Sequence, residues 1–282
     1  MLSSRGWRSA PRDLAGGLTL PRYVRRSRQR RRDVFKMAQL AVVRSLGALR
    51  QPRDDRAFFL AIVVRHMRTS FRDRSEAGRL LADQLRAYER HPDAIVLALP
   101  RGGVPVAYEV ATSLELPLDI FVVRKLGVPG YKELAMGAIA SGGVRVLNED
   151  VLRALPNAPA MVAEVTTQET QELERRERDY RGDRPPPEVS GRTVILIDDG
   201  LATGATMLVA IAALRKKAPT KIIVAVPVCP PETLREIERV ADETVALFAP
   251  DWFRGVGQFY DDFGQISDDE VRDLLARAAE RN

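Results

Sequence analysis

Residues 194–207, which read VILIDDGLATGATM, decide the fold of this chain. The first four are apolar and predict a buried β-strand, and two adjacent carboxylates, Asp198 and Asp199, follow at its end. A turn rich in glycine and threonine then begins a helix that is predicted to run to about Lys217. In an open α/β sheet, ligands bind beyond the carboxyl ends of the strands. The stretch therefore predicts a ligand site.

The turn after the two aspartates has the properties of an anion site. It would direct successive backbone N–H groups and two hydroxyls at one point, with the partial positive charge of the helix behind them. A phosphate fits this arrangement. The carboxylates would repel a phosphate, so they are expected to face hydroxyls or a hydrated divalent cation. The turn residues are Ala202, Thr203, Gly204, Ala205 and Thr206.

A second turn of the same kind lies earlier in the chain. Residues 94–99 read AIVLAL and predict another buried strand, which is followed by Pro100, Arg101, Gly102 and Gly103. Glycines let backbone N–H groups approach an anion closely, and the arginine adds a forked cation. A strand that ends in two acids is also found in nucleotide triphosphatases, but the absence of a G-x-x-x-x-G-K-[ST] motif excludes that class. An ordinary turn with solvated acids is the structural alternative.

Strand-like and helix-like segments alternate along the chain. This alternation implies right-handed crossovers and predicts an α/β fold with a mainly parallel sheet flanked by helices. Residues 137–140 and 144–147 predict a hairpin, and residues 148–181 predict one helix with a solvated, charged face. The predicted strands of the main sheet are residues 94–99, 118–123, 194–197, 221–226 and 243–248.

The two turns together resemble the signature of type I phosphoribosyltransferases. In that family, an acidic pair holds the ribose 2- and 3-hydroxyls of phosphoribosyl pyrophosphate, and the following small loop wraps the 5-phosphate. The resemblance covers residues 70–265 and implies these roles for Asp198, Asp199 and residues 202–206. It implies that residues 101–103 bind the leaving pyrophosphate. Mg²⁺ would bridge that pyrophosphate and reach the aspartates only through ribose hydroxyls or water.

The resemblance also implies a hood over the reacting centre. Residues 124–133 are predicted to form a flexible loop that closes over the ligand, with Arg124 and Lys125 as catalytic cations alongside the arginine of the earlier turn. The C-terminal segment would complete this hood. There, Trp252 and Phe253 resemble the base-binding end of purine phosphoribosyltransferases, in which the Phe covers the base. Hydrophobic closure of the sheet edge explains these aromatics as well.

The acceptor base is left open because two positions depart from the hypoxanthine/guanine enzymes. Ala202 stands where their loop carries an Asp, and Cys229 or Pro230 stands where a Lys reads the purine carbonyl. Ala at the first position does occur in adenine- and orotate-type loops. The implied function is transfer of the phosphoribosyl group to a nitrogen of a heterocyclic base. The alternatives are a regulatory protein that senses phosphoribosyl pyrophosphate without transferring it, and a hydrolase with water as the acceptor.

Charge divides the chain into two parts. Residues 1–66 hold 16 Lys/Arg and 4 Asp/Glu, whereas residues 67–282 hold 28 and 34, so the net charge of +6 conceals a basic part and an acidic part. We expect residues 67–282 to form the phosphoribosyltransferase-like domain and residues 1–66 to be a weakly ordered extension. The extension resembles a transit peptide or a nucleic-acid-binding arm, and a start codon placed too early would also explain it.

Composition bounds the remaining properties. The single cysteine, Cys229, excludes an intramolecular disulfide and fits a reducing cytosol. Two histidines, His66 and His91, are too few for a histidine-based metal site. No apolar run reaches the ~20 residues of a membrane span. We therefore expect a cytoplasmic protein that does not contact a membrane, and the family resemblance implies a homodimer.

Overall fold

A five-stranded parallel sheet forms the centre of the structure. The computed structural model describes residues 70–182 and 184–281, with Lys132 and Glu133 described by their backbone only. The strands are β1 (Ala94–Ala98), β2 (Leu118–Ile120), β6 (Thr193–Ile197), β7 (Lys221–Val228) and β8 (Glu243–Phe248). Their order is β2-β1-β6-β7-β8, and all neighbours are parallel. The strand that carries the two aspartates is therefore the middle one.

Helices cover both faces of this sheet. In β6, Ile195 and Ile197 pack towards the helices Arg74–Gln84, Gly103–Leu114 and Asp268–Ala279, whereas Val194 and Leu196 pack towards the helices Ala205–Arg215 and Pro231–Glu238. Each side chain of β6 is buried, as expected for a strand covered on both faces. The described helices are α1 (Arg74–Gln84), α2 (Gly103–Leu114), α3 (Glu149–Ala154), α4 (Ala158–Arg181), α5 (Ala205–Arg215), α6 (Pro231–Glu238) and α7 (Asp268–Ala279), with short 3₁₀ turns at Arg86–Tyr88 and Val256–Phe259.

A second, antiparallel sheet lies between β2 and α3 in the chain. It consists of β3 (Val123–Val128), β4 (Tyr131–Ala140) and β5 (Val144–Leu147), in the order β3-β4-β5, and we refer to it as the ribbon. The predicted hairpin at residues 137–147 is confirmed. Residues 124–133, predicted as a loop, instead form β3 and the start of β4. The burial of Leu126 and Val128 gives this segment an inward side that its glycines and charges conceal in the sequence.

The predicted single helix over residues 148–181 is two helices. Asn157 interrupts it in a left-handed conformation, with φ of 57°. The predicted α/β fold with a parallel sheet and flanking helices is confirmed. The extension at residues 1–66 lies outside the described residues, so its separation from the domain stays a prediction. In the part of the chain that the structure describes, no helix is long and apolar enough to cross a membrane.

Candidate functional site

The two predicted turns meet at the carboxyl edge of the sheet. Ala98 of β1 pairs with Ile197 of β6, so the segments that follow these strands begin side by side. A Cβ atom added at Gly102 would lie 2.1 Å from Oδ2 of Asp199, and one added at Gly103 would lie 2.9 Å from Cα of Asp198. Glycine is therefore required at both positions by the close approach of the two segments. The two turns form one site.

Asp199 is held from several directions. Nε of Arg74 donates a hydrogen bond to its Oδ2 at 2.8 Å, and the Tyr260 hydroxyl donates to its carbonyl oxygen at 2.6 Å. Nη1 of Arg74 donates to the carbonyl of Gly264 at 2.8 Å. Arg74 and Asp199 are only 8% and 9% exposed. One oxygen of Asp199 is thus occupied by a buried ion pair, which ties the acidic pair to α1 and to the C-terminal segment.

Asp198 forms no ion pair with a described residue, although the charge of Arg74 acts on it. Its Oδ1 accepts a hydrogen bond from the backbone N–H of Asp199 at 2.9 Å. Burial, and secondly the charge of Asp199, raise the pKa of Asp198 well above its ordinary value. Burial also raises the pKa of Asp199, and the hydrogen bond from Arg74 opposes that increase. A ligand that donates hydrogen bonds would therefore stabilise the ionised form of Asp198.

The turn before α5 presents its polar groups outward. Gly204 adopts a left-handed conformation with φ of 69°, and a Cβ there would lie 2.7 Å from Cγ2 of Thr233. The Thr233 hydroxyl donates to the carbonyl of Ala202 at 2.7 Å and fixes the turn. Gly204 is buried, whereas the other four residues of the turn are exposed. The exposed members are Ala202, Thr203, Ala205 and Thr206.

The N-terminus of α5 is only weakly satisfied by side chains of the described residues. Its N-cap residue, Gly204, makes no side-chain cap bond, and the first turn holds no acidic residue. The Thr203 hydroxyl accepts a long hydrogen bond, of 3.5 Å, from the backbone N–H of Ala205. By contrast, Asp73 caps α1, and Ser267 caps α7, whose first turn holds three acids. The first N–H groups of a helix need partners from outside the helix. The start of α5 is consequently suited to an anionic ligand.

A cavity of about 400 Å³ lies beside Asp199. It is lined by Arg74, Arg101, Gly102 and Asp199 on one side and by residues 263–266 on the other. Nη1 of Arg101 lies 3.8 Å from Oδ1 of Asp268, which is a long ion pair between partly exposed side chains. The same Asp268 oxygen also accepts a hydrogen bond from the Tyr180 hydroxyl.

The structure does not bring the predicted hood cations to the acidic pair. Nε and Nη2 of Arg124 bind one oxygen of Glu169 on α4, at 2.8 and 2.6 Å. Lys125 is exposed and has no polar partner among the described residues. Glu169 thus holds Arg124 in this state, and Lys125 is available for other contacts.

The predicted base-binding aromatics lie in the apolar cluster at the sheet edge. Phe253 stacks on Phe259, with ring centroids 5.6 Å apart and an interplanar angle of 26°. Trp252 lies 5.6 Å from the same ring, but 49% of it is exposed. Phe253 therefore has a packing role whether or not it covers a base, and Trp252 is accessible to a ligand. Their role in base binding stays a prediction.

Three residues of the site were missed by sequence reasoning. Arg74 follows the residue that caps α1, and nothing in that position marks it as a partner of Asp199. Phe263 covers the Arg74 guanidinium, whose Cζ lies 3.9 Å from the ring centroid, and Tyr260 stacks on Phe263. The aromatic-rich composition of the C-terminal segment is the one signal that pointed to this region.

The residues present fit a magnesium ion only in an indirect arrangement. In the described residues, no group of three His, Cys, Asp or Glu side chains is placed to hold a metal. The available carboxylates are Asp198 and Asp199, and the second is paired with Arg74. Mg²⁺ usually takes substrate phosphates and water as most of its ligands. This agrees with an ion that arrives on the ligand.

Comparison with known proteins agrees with the geometry. The profile of the phosphoribosyl transferase domain matches residues 73–263. The chain belongs to this family. Two curated relatives from Mycobacterium tuberculosis, "Putative phosphoribosyl transferase MT0597" (strain CDC 1551 / Oshkosh) and "Putative phosphoribosyl transferase Rv0571c" (strain ATCC 25618 / H37Rv), are each 47% identical over 208 residues. The match covers 74% of this chain and 47% of each relative, so the chain spans about half their length.

A solved structure shares the fold of this chain. The crystal structure of TT1426 from Thermus thermophilus is similar, with a TM-score of 0.65 and 40% sequence identity. The similarity covers 74% of this chain and 98% of TT1426. Nearly the whole length of that protein therefore corresponds to part of this chain.

Proposed function

We propose that this protein transfers the phosphoribosyl group of phosphoribosyl pyrophosphate to a ring nitrogen of a heterocyclic base and releases pyrophosphate. The observation that carries the proposal is the contact of Gly102 and Gly103 with the acidic pair, beside the uncapped start of α5. This ligand has three parts, and each has a counterpart in the site. The glycine turn with its arginine suits the diphosphate, the two carboxylates suit the ribose diol, and the helix N-terminus suits the 5-phosphate.

Each part of the site has a proposed role. The N–H groups and hydroxyls of residues 202–206 bind the 5-phosphate. Asp198 accepts hydrogen bonds from the ribose hydroxyls, and Asp199 offers the oxygen that Arg74 leaves free. Arg101 and the backbone of Gly102 and Gly103 bind the pyrophosphate, where a guanidinium can form two parallel hydrogen bonds.

The proposed reaction is a displacement at C1 of the ribose. The bond between C1 and the pyrophosphate oxygen breaks, and its electron pair leaves with the pyrophosphate. The lone pair of the base nitrogen forms the new bond to C1, and the ring proton that the base loses passes to the departing pyrophosphate or to water. Positive charge develops on the sugar ring near the acidic pair, and negative charge develops near Arg101, so fixed charges stabilise both partners. Mg²⁺, when bound, would neutralise charge on the pyrophosphate.

The remaining assignments belong to the same proposal. Trp252 is the accessible platform for the base, with Phe253 behind it. Lys125 and Arg124 act from the ribbon, and Arg124 must exchange Glu169 for the ligand to do so. A homodimer, a cytoplasmic location and a nucleic-acid-binding role of residues 1–66 also stay proposals.

A regulatory protein that binds phosphoribosyl pyrophosphate without transferring it is the second candidate. The observation that favours it is that Arg124 is paired with Glu169 and Arg74 with Asp199, so two arginines that could bind the ligand are already engaged. Such pairs would hold the arginines away from the reacting groups, so the site could bind the ligand without transferring it. The two candidates differ in turnover and agree in binding.

Two measurements on the full chain test the proposal. Calorimetric titration with phosphoribosyl pyrophosphate and Mg²⁺ should show binding, and a panel of bases should trigger pyrophosphate release. Binding without release would support the regulatory protein, release without a base would indicate a hydrolase, and no heat at millimolar ligand would refute all three.

Asp198→Asn should weaken binding by about 1.5–3 kcal/mol. Asp93→Asn, at the opposite end of the neighbouring strand, is the matched control.

A further inference from the structure

Two arginines from distant parts of the chain line the cavity beside Asp199. Arg74 comes from the first turn of α1, and Arg101 comes from the turn after β1. The function proposed above uses only Arg101. Yet Arg74 is the more enclosed of the two, since 10% of its side chain is exposed compared with 35% for Arg101.

Arg74 has unused hydrogen-bonding capacity. A guanidinium carries five N–H donors. Nε binds Asp199, Nη1 binds the carbonyl of Gly264, and Nη2 has no hydrogen-bond partner among the residues described. The ring of Phe263 covers the group and fixes its plane. Arg74 lines the cavity, so its remaining donors are available to an anionic ligand that enters there.

The charges around the cavity select the type of ligand. Its lining holds two guanidinium groups and one carboxylate, that of Asp199, and the remaining lining groups are neutral. Asp268 faces Arg101 at 3.8 Å, but both of these side chains are partly exposed, so the pair is weak. Two forked cations within one cavity suit a ligand with several anionic oxygens.

We infer that Arg74 is a second guanidinium ligand for the diphosphate group. This rests on the proposed function, in which pyrophosphate leaves from this side of the site. Asp199 accepts a hydrogen bond from Nε, and the carbonyl of Gly264 accepts one from Nη1. The ring of Phe263 fixes the orientation of the guanidinium plane, so the remaining donors are preorganised. Arg101, which is loosely paired, completes the clamp.

The test uses inorganic pyrophosphate as the probe. It is titrated calorimetrically into the full chain in a chelating buffer, so that no divalent cation contributes. Arg74→Lys keeps the charge but loses the fork, and we expect binding to weaken about tenfold. Arg79→Lys is the matched control, because Arg79 lies on the same helix, pairs with Glu109 and does not line the cavity. It should bind pyrophosphate like the parent.

Asp199→Asn separates ligand binding from a structural role. The amide oxygen of the asparagine can still accept the hydrogen bond from Nε of Arg74. Because the change removes a negative charge from the cavity, pyrophosphate should bind as tightly as in the parent or a few times more tightly. If Arg74 served only to hold the fold, this variant would weaken pyrophosphate binding as Arg74→Lys does. The measurement stays decisive if Arg74→Lys fails to fold, which circular dichroism would reveal.

Three results would overturn the inference: a parent chain that does not bind millimolar pyrophosphate, an Arg74→Lys variant within twofold of the parent, or weakened binding in Asp199→Asn. The base panel keeps this question separate from the proposed function. Base-dependent turnover with an Arg74 variant of unchanged pyrophosphate affinity would refute the inference alone. Pyrophosphate binding that depends on Arg74, without turnover of any base, would refute the transferase alone.

Discussion

The carboxyl edge of the parallel sheet and the ribbon both contain an Arg–carboxylate pair, but the two pairs differ in their surroundings. In the Arg74–Asp199 pair, 10% and 13% of the side chains are exposed, and Gly264 and Phe263 add further contacts. In the Arg124–Glu169 pair, 26% of each side chain is exposed.

This difference separates the preformed part of the site from the part that can change partners. Removing one member of a buried pair leaves an uncompensated charge and costs roughly 3–5 kcal/mol. An exposed pair is worth about 1 kcal/mol or less. The Arg124–Glu169 pair is partly exposed, so Arg124 can leave Glu169 for a ligand at a lower cost than Arg74 can leave Asp199. We expect substitutions at the sheet edge to act on binding and stability, and those in the ribbon to act on turnover.

The largest effect is expected from Gly102→Ala. The added methyl group would overlap Oδ2 of Asp199, which the hydrogen bond from Arg74 holds in place. The turn must therefore shift, and its N–H groups would no longer point at the ligand. We expect affinity for phosphoribosyl pyrophosphate to fall by about two orders of magnitude, as when two charge-assisted hydrogen bonds are lost. Gly255→Ala is the control, because a Cβ there meets nothing within 4 Å. Equal affinities for both variants would contradict a close-packed turn.

The next effect separates the two aspartates by stability. Asp199→Asn weakens the buried pair with Arg74, so we expect it to lower the free energy of unfolding by about 2–3 kcal/mol. Asp198→Asn removes a buried carboxylate that forms no ion pair with a described residue. It should therefore raise the free energy of unfolding. Denaturant melts of the ligand-free variants at pH 7 measure both. Changes of the same sign in the two variants would show that the acids are equivalent.

The pH dependence of stability follows from the raised pKa of Asp198. The folded protein retains this proton at pH values where the unfolded chain has lost it. Stability should therefore fall as the pH rises from the ordinary aspartate value of 3.8 through the raised pKa. Asp198→Asn should flatten this slope. Melts at several pH values above 4 provide the measurement, and parallel profiles for parent and variant would argue against a raised pKa.

A smaller effect is expected in the ribbon. Lys125 is exposed and unpaired in the described structure, so Lys125→Ala should leave stability and ligand affinity nearly unchanged. If the ribbon closes over the pyrophosphate, kcat should fall about tenfold, because the contact forms only in the closed state. Arg153→Ala, on the exposed side of α3, is the control. Equal losses in kcat and affinity would indicate a static binding role instead.

The smallest effect is expected at the aromatic edge. Trp252→Ala should raise the KM for the base about fivefold and leave the affinity for phosphoribosyl pyrophosphate unchanged, since an exposed ring should give the low end of the ~1–3 kcal/mol that base–aromatic stacking is worth. Phe253→Ala should instead lower the melting temperature, because Phe253 stacks on Phe259. An unchanged KM in Trp252→Ala would remove that residue from the base site.

Local sequence was sufficient for the parallel sheet and for the two turns. Residues 194–207 carry their strand, acids and glycine turn in one continuous segment, and the rule that ligands bind at the carboxyl ends of strands places them. In the ribbon, β3 and the start of β4 were missed because Gly127, Pro129 and Gly130 interrupt the alternation of buried residues. The break between α3 and α4 was missed because Asn157 adopts a left-handed conformation that the surrounding helical pattern conceals.

The sequence by itself determined that two acids stand at the end of a central strand, next to a phosphate-type turn. Only the tertiary structure decided that the two acids differ in their partners, because Asp199 is paired with Arg74 and Asp198 is not. Arg74 lies 125 positions from Asp199, and the docking of α1 and the C-terminal segment against the sheet edge brings them together. A contact of this length leaves no local pattern in the sequence, because it depends on how separate elements pack and not on the conformational preference of either segment.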